Sequence, residues 1–137
     1  MNDRYTMSYG TLVYGPSKRV VVEIDQGIVD CYRSLIPKYK CVKPQKHKSH
    51  ITVVRKYEYD SLDMDNWEYL DGATVPFVYD SKIQYTTPYY FLRTYSKAIG
   101  IIRRKLGLPT FREGYDGFYH ITIGNTKWLG ARKVSTG

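Results

Sequence analysis

A strict alternation of polar and apolar residues marks two short segments of the chain. They are His50-Ile51-Thr52-Val53 and His120-Ile121-Thr122-Ile123, nearly identical tetrapeptides that lie 70 residues apart. A period of two predicts a half-buried β-strand, in which residues i and i+2 lie on the same face. Each segment therefore predicts a histidine and a threonine on one face and two aliphatic side chains in the core.

The pattern around the first segment predicts two more strands and a helix. Residues 10–14 and 19–24 predict a strand pair joined around Gly15-Pro16-Ser17. Asp25 is a suitable N-cap for a helix that ends at Pro37 and whose apolar residues recur at helical spacing, at Ile28, Val29, Tyr32, Leu35 and Ile36. A basic loop then leads to a strand over residues 50–55.

The pattern around the second segment repeats this order. Residues 89–94 predict a strand, Ser96 is a possible cap, and a helix follows with apolar residues at Ile99, Ile101, Ile102 and Leu106. Gly107 and Pro109 end this helix, and a glycine-containing loop leads to a strand over residues 119–123.

These two similar halves predict the fold class. The distance from cap to motif is 25 residues between Asp25 and His50 and 24 residues between Ser96 and His120. We expect a single α+β domain over residues 1–137, with two pseudo-symmetric strand-helix-strand lobes whose antiparallel-type sheets flank a central cleft.

The segment between the halves predicts a further hairpin. Residues 60–71 are acidic and turn-prone. Residues 74–79 and 82–86 alternate in the manner of strands around Asp80-Ser81, which predicts a turn between them.

The composition favours an anionic ligand. Lys and Arg number 21 against 13 Asp and Glu, which gives a formal net charge of +8 and attracts polyanions. The 15 tyrosines offer stacking surfaces for nucleobases besides ordinary core mass. Basic residues concentrate at 103–105 and before the first motif, at Lys38, Lys40, Lys43, Lys46 and Lys48. The ordinary role of such runs is a solvated surface.

The sequence also predicts where the protein works. No run of 18 or more apolar residues occurs, and Met-Asn-Asp-Arg-Tyr at the start lacks the apolar core of a signal peptide. We expect a cytoplasmic protein with no membrane association and no obligate protein partner. Cys31 and Cys41 fit no metal motif, and reduced thiols are expected there.

Two histidines and two threonines on stiff strands are suited to handling a phosphate and its protons. Histidine has an unperturbed pKa of about 6.5, so it can act as base or acid near neutrality. A single His-x-Thr is more often an ordinary strand segment. Two of the chain's three histidines open matched tetrapeptides, however, and this favours a functional pair. The ligand spacing predicts no metal site, and no cofactor is expected.

The paired motifs resemble those of the two-histidine (2H) phosphoesterase superfamily. Within it, three segments are similar to tailed-phage anti-CBASS nucleases, which degrade the cyclic oligonucleotide signals of bacterial antiphage immunity. These segments are 34–39, 50–55 and 118–125. The resemblance implies a phosphodiesterase that acts on 3′,5′-linked cyclic di- and trinucleotides such as cGAMP, in the host bacterial cytoplasm if the chain is phage-encoded.

The resemblance also implies roles for the motif residues. Of His50 and His120, one is the general base and the other the general acid on the departing 5′ oxygen, and the sequence leaves open which is which. The hydroxyls of Thr52 and Thr122 hold non-bridging phosphate oxygens. The nucleophile is the substrate's own 2′-OH, and no metal is required.

Five further residues are weaker candidates for substrate binding. Arg55 and Tyr119 lie at odd offsets from the motif residues, on the opposite face of an ideal strand. Tyr14, Trp67 and Trp128 could stack on a base, although a tryptophan in a domain of this size is more often part of the core.

Two alternatives to the cyclic oligonucleotide phosphodiesterase stay open. The first keeps the chemistry but acts on RNA ends, as a 2′,3′-cyclic phosphodiesterase or an RNA ligase of the 2H type. The second is a basic nucleic-acid-binding domain without catalysis, whose affinity falls steeply with salt.

Overall fold

The structure is a computed structural model that describes residues 4–16, 18–112, 114 and 117–127. Within these residues the structure has six strands and two α-helices, with 3₁₀ turns in the loops at Lys38–Lys40, Lys56–Ser61 and Met64–Asn66. In chain order, the elements are β1 (Tyr5–Tyr14), β2 (Val20–Glu23), α1 (Gln26–Ser34), β3 (His50–Val54), β4 (Thr74–Thr86), β5 (Tyr89–Tyr95), α2 (Lys97–Lys105) and β6 (Tyr119–Asn125).

All six strands form one closed antiparallel barrel in the order β1-β2-β3-β6-β5-β4. Each half of the chain contributes three neighbouring strands, and the two sets meet at β3–β6 and at β1–β4. The α+β class and the repeated element order are as predicted. The predicted architecture of two lobes with separate sheets is not confirmed, because the strands that carry the motifs are neighbours in one sheet.

The helices begin where the sequence predicts. Asp25 precedes α1 and its carboxylate accepts a hydrogen bond from the backbone N–H of Gly27 at 2.8 Å. Ser96 precedes α2 and its hydroxyl accepts from the N–H of Ile99 at 3.2 Å. Such caps satisfy backbone donors that the first helical turn leaves without partners.

Both helices pack against the barrel, α1 at β6 and α2 at β3 and β4. Ile51 and Ile121 are fully buried, in one aliphatic cluster with Val29 of α1 and with Ile99 and Ile102 of α2. Replacing such an isoleucine with alanine costs about 2 to 5 kcal/mol of stability. Since side chains alternate across a strand, the polar residues next to Ile51 and Ile121 lie on the opposite face of the sheet from the two isoleucines.

The predicted hairpin around Asp80-Ser81 is wrong. Residues 74–86 form the single strand β4, which is irregular between Tyr79 and Ile83. The Asp80 side chain is buried at the irregularity, where it accepts hydrogen bonds from Arg4 at 2.8 Å and from the backbone N–H of Lys82 at 2.9 Å. A residue with turn propensity here makes an ion pair in which the carboxylate is buried and Arg4 is exposed, and the turn lies instead at Thr87-Pro88, between β4 and β5.

Both motif strands contain a β-bulge directly after the threonine. In β3, Val21 pairs with Thr52 but Val20 pairs with Val54, so Val53 is an extra residue. In β6, Phe91 pairs with Thr122 and Tyr90 with Gly124, so Ile123 is the extra residue. An extra residue shifts the alternation by one and increases the local twist.

Candidate functional site

The four motif side chains share one face of the sheet, opposite to Ile51 and Ile121. His50, Thr52, His120 and Thr122 are all half-buried, whereas their apolar neighbours Ile51, Val53, Ile121 and Ile123 are at most 1% exposed. The prediction that each motif points two polar residues to one side and two aliphatic residues into the core is confirmed.

The two motifs are neighbours across one strand pair. β3 and β6 are antiparallel, and Ile51 is paired with Ile121. This register sets His50 opposite Thr122 and Thr52 opposite His120. Directly opposite residues have Cβ atoms about 5 Å apart and diagonal ones about 7 to 8 Å apart. The two imidazoles are therefore diagonal corners of a polar square, hereafter the tetrad, which is about the size of one phosphate and its substituents.

Hydrogen bonds define the tautomer of His50. Its Nδ1 lies 2.7 Å from the carbonyl oxygen of Lys48, which can only accept, so Nδ1–H donates. Its Nε2 lies 3.1 Å from Nη2 of Arg19, which can only donate, so Nε2 is the acceptor. Burial lowers the pKa of His50, with a smaller contribution in the same direction from Arg19. The neutral form of the imidazole is thus favoured, and its basic nitrogen is Nε2.

Aromatic rings and positive charges surround His120. The rings of Phe91 and Phe118 contact the imidazole edge-on, with centroids 4.6 and 5.2 Å from its own. Burial, followed by the charges of three arginines, lowers the pKa of His120 to about 4; the arginines are Arg55, Arg112 and Arg93. Removal of water and like charge both disfavour the imidazolium.

A small recess, open to solvent, lies beside His120 and Thr52. Arg55 and Arg112 contribute to its lining; the remaining lining residues are Val53, Glu58, Arg103, Phe118 and Tyr119. Arg55 reaches this recess because β3 has a bulge at Val53, which offsets the alternation of an ideal strand. β3 also ends at Val54, so the odd offset of Arg55 from Thr52 does not place it on the opposite face.

Arg93 flanks the tetrad from the other side of His120. It is paired directly with His120 across β5 and β6, and its guanidinium lies 4.9 Å from the centre of the Phe118 ring. Its Nε is buried, and in the part of the chain that the structure describes this nitrogen has no hydrogen-bond partner. A buried, positively charged N–H group that lacks a hydrogen-bond acceptor is suited to bind an anion.

Of the aromatic candidates, Tyr14 and Trp67 are not in the lining of the recess, whereas Tyr119 is. Tyr14 contacts Trp67 edge-on at a centroid distance of 4.9 Å and donates its hydroxyl to the carbonyl of Tyr69 at 2.7 Å. Tyr119 is buried and donates to the carbonyl of Thr110 at 2.7 Å, although it also lines the recess. Burial raises the pKa of Tyr14 and of Tyr119 to about 12. Trp128 is outside the described residues.

Sequence reasoning missed Arg19, Arg93 and Arg112. Arg19 precedes a strand and Arg93 lies within one, so each looks like an ordinary solvent-facing residue. The pairing of Arg93 with His120 depends on which strand is the neighbour of β6, and local pattern does not specify that. In the sequence, only the net charge of +8 indicated that basic residues such as these arginines could cluster around a site.

The basic loop before the first motif is fixed to the end of β6. Lys43 and Asn125 exchange two backbone hydrogen bonds, at 2.8 and 2.9 Å. Gly124 permits this approach, because a Cβ at that position would overlap the side chain of Val42. The loop that carries the lysines is therefore held beside the strand that contains His120.

The described ranges contain neither a candidate metal centre nor a helix that could cross a membrane. In residues 4–16, 18–112, 114 and 117–127, no group of three or more His, Cys, Asp or Glu side chains could hold a metal ion. No helix within these ranges is both long and apolar enough to cross a membrane.

Comparison with family models, with curated proteins and with solved structures finds no match to this chain. The chemistry of the site therefore follows from its own geometry. It offers two neutral imidazoles, two hydroxyls and several guanidinium groups, which together can bind a phosphodiester and transfer two protons.

Proposed function

We propose that this protein is a phosphodiesterase that linearises 3′,5′-linked cyclic di- and trinucleotides. The observation that carries the proposal is the tetrad, in which His50 and His120 occupy diagonal corners with a threonine opposite each. Arg19 on one side and Arg93 on the other supply positive charge at the corners. Charge-assisted hydrogen bonds from guanidinium to phosphate are among the strongest in proteins.

His50 is the general base in this proposal. Its Nδ1–H is held by the Lys48 carbonyl, so the lone pair of Nε2 is directed to the same side as the Arg19 guanidinium. When a phosphate displaces Arg19 from Nε2, the guanidinium binds a phosphate oxygen and the imidazole accepts the proton of the ribose 2′-OH. A base that is already neutral and oriented requires no change of tautomer before the reaction.

His120 is the general acid. In the free protein its pKa is about 4, and three arginines contribute to this value. A bound phosphodiester brings a negative charge among the same arginines, which offsets their repulsion and raises the pKa of the imidazole. Bound substrate thus stabilises the protonated form of His120, which is the form that acts as the acid.

The reaction balances without a further reagent. The 2′ oxygen attacks phosphorus as His50 takes its proton, and the bond from phosphorus to the 5′ oxygen breaks as His120 protonates that oxygen. The product is a linear oligonucleotide that ends in a 2′,3′-cyclic phosphate. Thr52 and Thr122 donate hydrogen bonds to the non-bridging oxygens, whose charge increases in the transition state.

The clustering of arginines favours a compact substrate. A small ring can keep its phosphates close to Arg55 and Arg112, which line the recess beside the tetrad, and to Arg93, which flanks it. In this proposal the protein removes cyclic oligonucleotide signals of bacterial antiphage defence, inside the bacterial cytoplasm.

A substrate panel tests the proposal. The protein is incubated with cyclic GMP–AMP of 3′,5′ linkage, a cyclic tri-adenylate, 2′,3′-cyclic AMP and a short RNA that ends in a 2′,3′-cyclic phosphate, and products are separated and weighed by mass spectrometry. We expect linear products from the two cyclic oligonucleotides. Conversion of only the 2′,3′-cyclic ends would assign the site to RNA-end processing. Binding without turnover, weakened steeply by salt, would indicate a nucleic-acid-binding domain.

A further inference from the structure

Each β-bulge in the motif strands is held by an arginine from a helix. Nη1 of Arg103, on α2, donates to the carbonyl oxygen of Val53 at 2.6 Å. Nη1 of Arg33, on α1, donates to the carbonyl oxygen of Ile123 at 3.3 Å. Val53 and Ile123 are the extra residues of the two bulges, so the same kind of contact occurs at corresponding points of the two halves.

The contact of Arg103 belongs to a buried network. Arg103 is 2% exposed, and its Nη2 donates to Oε2 of Glu58 at 2.8 Å. Its Nε donates to the carbonyl of Pro109, also at 2.8 Å. Glu58 in turn accepts from the backbone N–H of Arg55 at 3.0 Å through Oε1. One ion pair therefore joins the bulge, the residue after β3 and the segment that follows α2.

These three segments carry the cationic lining of the recess. Arg55 comes two residues after the bulge, and Arg112 comes three residues after Pro109. Both guanidinium groups lower the pKa of His120. Burial opposes ionisation of Glu58, but hydrogen bonds from Arg103 and from the Arg55 backbone outweigh it and hold the pKa of Glu58 below its ordinary value.

We infer that Arg103 and Glu58 are a positioning pair for the site. Both side chains reach the lining of the recess, but they are nearly buried and hydrogen-bonded to each other, so the pair acts through Arg55 and Arg112. It fixes the bulge at Val53 and the segment at Pro109, so that Arg55 and Arg112 converge on His120 and form the anion-binding side of the recess. The inference rests on the proposed function in one respect, namely that the anion bound there is a phosphate.

The alternative is that the pair only adds stability, and a charge-free replacement separates the two roles. Replacing a buried ion pair with apolar residues of similar volume often leaves stability unchanged or raises it. The main variant is therefore the double substitution Arg103→Met with Glu58→Met. Glu58→Gln is the second variant, because its amide oxygen can still accept from the Arg55 N–H.

The control is Arg33→Met. This substitution removes the contact at the other bulge. Asn125 lies two residues after that bulge, at the position that corresponds to Arg55 in the first half of the chain. Arg33 is no part of the recess lining, so its loss reports on bulge contacts in general.

Two readouts that need no turnover test the inference in all variants. The first is the pKa of His120 from a proton NMR titration, and the second is the dissociation constant of inorganic phosphate. Far-ultraviolet circular dichroism and thermal unfolding show whether each variant is folded. In the double variant we expect the pKa of His120 to rise toward 6.5 and phosphate affinity to fall about tenfold, as for the loss of one charge-assisted hydrogen bond. Glu58→Gln should shift both quantities in the same direction by less, and Arg33→Met should shift neither.

The outcomes separate the inference from the proposed function. A folded double variant, or a folded Glu58→Gln variant, with the wild-type pKa of His120 and wild-type phosphate affinity would overturn the positioning role, whatever its thermal stability. If wild type binds phosphate and the double variant does not, the positioning role holds even when no cyclic oligonucleotide is cleaved. If wild type does not bind phosphate at all, the anion-binding role fails together with the inference.

Discussion

Ile51 on β3 is paired with Ile121 on β6, and this one pairing sets the histidine of each motif opposite the threonine of the other. The isoleucines are fully buried, so the polar side chains on either side of them must face away from the core. A slip of one residue in either strand would turn that strand's histidine and threonine toward the core and its isoleucine away from it. The core thus fixes the geometry of the tetrad.

The first prediction concerns the two imidazoles. His50→Ala and His120→Ala should each lower kcat by about 10² to 10⁴, since a positioned acid or base contributes that much. Because the two act in one step, the double variant should lose little more than either single variant. Single-turnover cleavage of a cyclic dinucleotide measures this. His47→Ala is the matched control, because His47 is exposed and lies only three residues before His50. Near-wild-type turnover by either tetrad variant would contradict the paired acid-base mechanism.

The second prediction concerns the threonine hydroxyls. Thr52→Ala and Thr122→Ala should each cost about 1.5 to 3 kcal/mol in transition-state stabilisation if each hydroxyl holds a charged oxygen. Thr→Ser at either position keeps the hydroxyl and should recover most of the loss. The measure is kcat/KM for each variant, compared with the wild-type value. Equal activity of the Ala and Ser variants would mean that the hydroxyls do not contact the phosphate.

The sequence predicts most of this tetrad but not its surroundings. A period of two in apolar residues is a local property, and it is enough to say that His50 and Thr52 share a face. Which strands are neighbours depends on how the chain closes, and for that reason the barrel and the pairing of Arg93 with His120 were not predicted. Asp80 has turn propensity, but its partner Arg4 is 76 residues away, and that ion pair decides the local structure.

The third prediction is a pH profile. The pKa of His120 is lowered to about 4 and that of His50 is lowered below its ordinary value, in both cases chiefly by burial. One imidazole must be charged and the other neutral, so kcat/KM, which reports the free enzyme, should be bell-shaped with its maximum below pH 6.5. Bound phosphate favours the imidazolium, so the maximum of kcat should lie at higher pH than that of kcat/KM. A maximum of kcat/KM above pH 7 would contradict the lowered pKa values.

The fourth prediction concerns chelators. The proposed reaction uses the ribose hydroxyl of the substrate as nucleophile, one imidazole as base and a second imidazole as acid. Each role is thus filled by a named group, and no metal-bound water is needed. Excess EDTA should therefore leave the rate of cyclic dinucleotide cleavage unchanged. Rates are compared before and after dialysis against chelator, with and without added magnesium, manganese or zinc. Complete loss of activity that one of these metals restores would refute the mechanism.

The last prediction concerns the nucleophile. If the substrate's own 2′-OH attacks phosphorus, the reacting atoms are tethered to each other and the site has only to remove one proton and supply another. A 3′,5′-linked cyclic dinucleotide with 2′-deoxyribose at both positions should then bind but not be cut, since its phosphates and bases still meet the arginines beside His50 and His120. The ribose compound should yield a linear product with a terminal 2′,3′-cyclic phosphate, or the phosphomonoester derived from it. Mass spectrometry of the two digests, with a competition assay for binding of the deoxy compound, provides the measurement. If the deoxy compound is cleaved at a comparable rate, water is the nucleophile, and His50 cannot be the base toward a ribose hydroxyl.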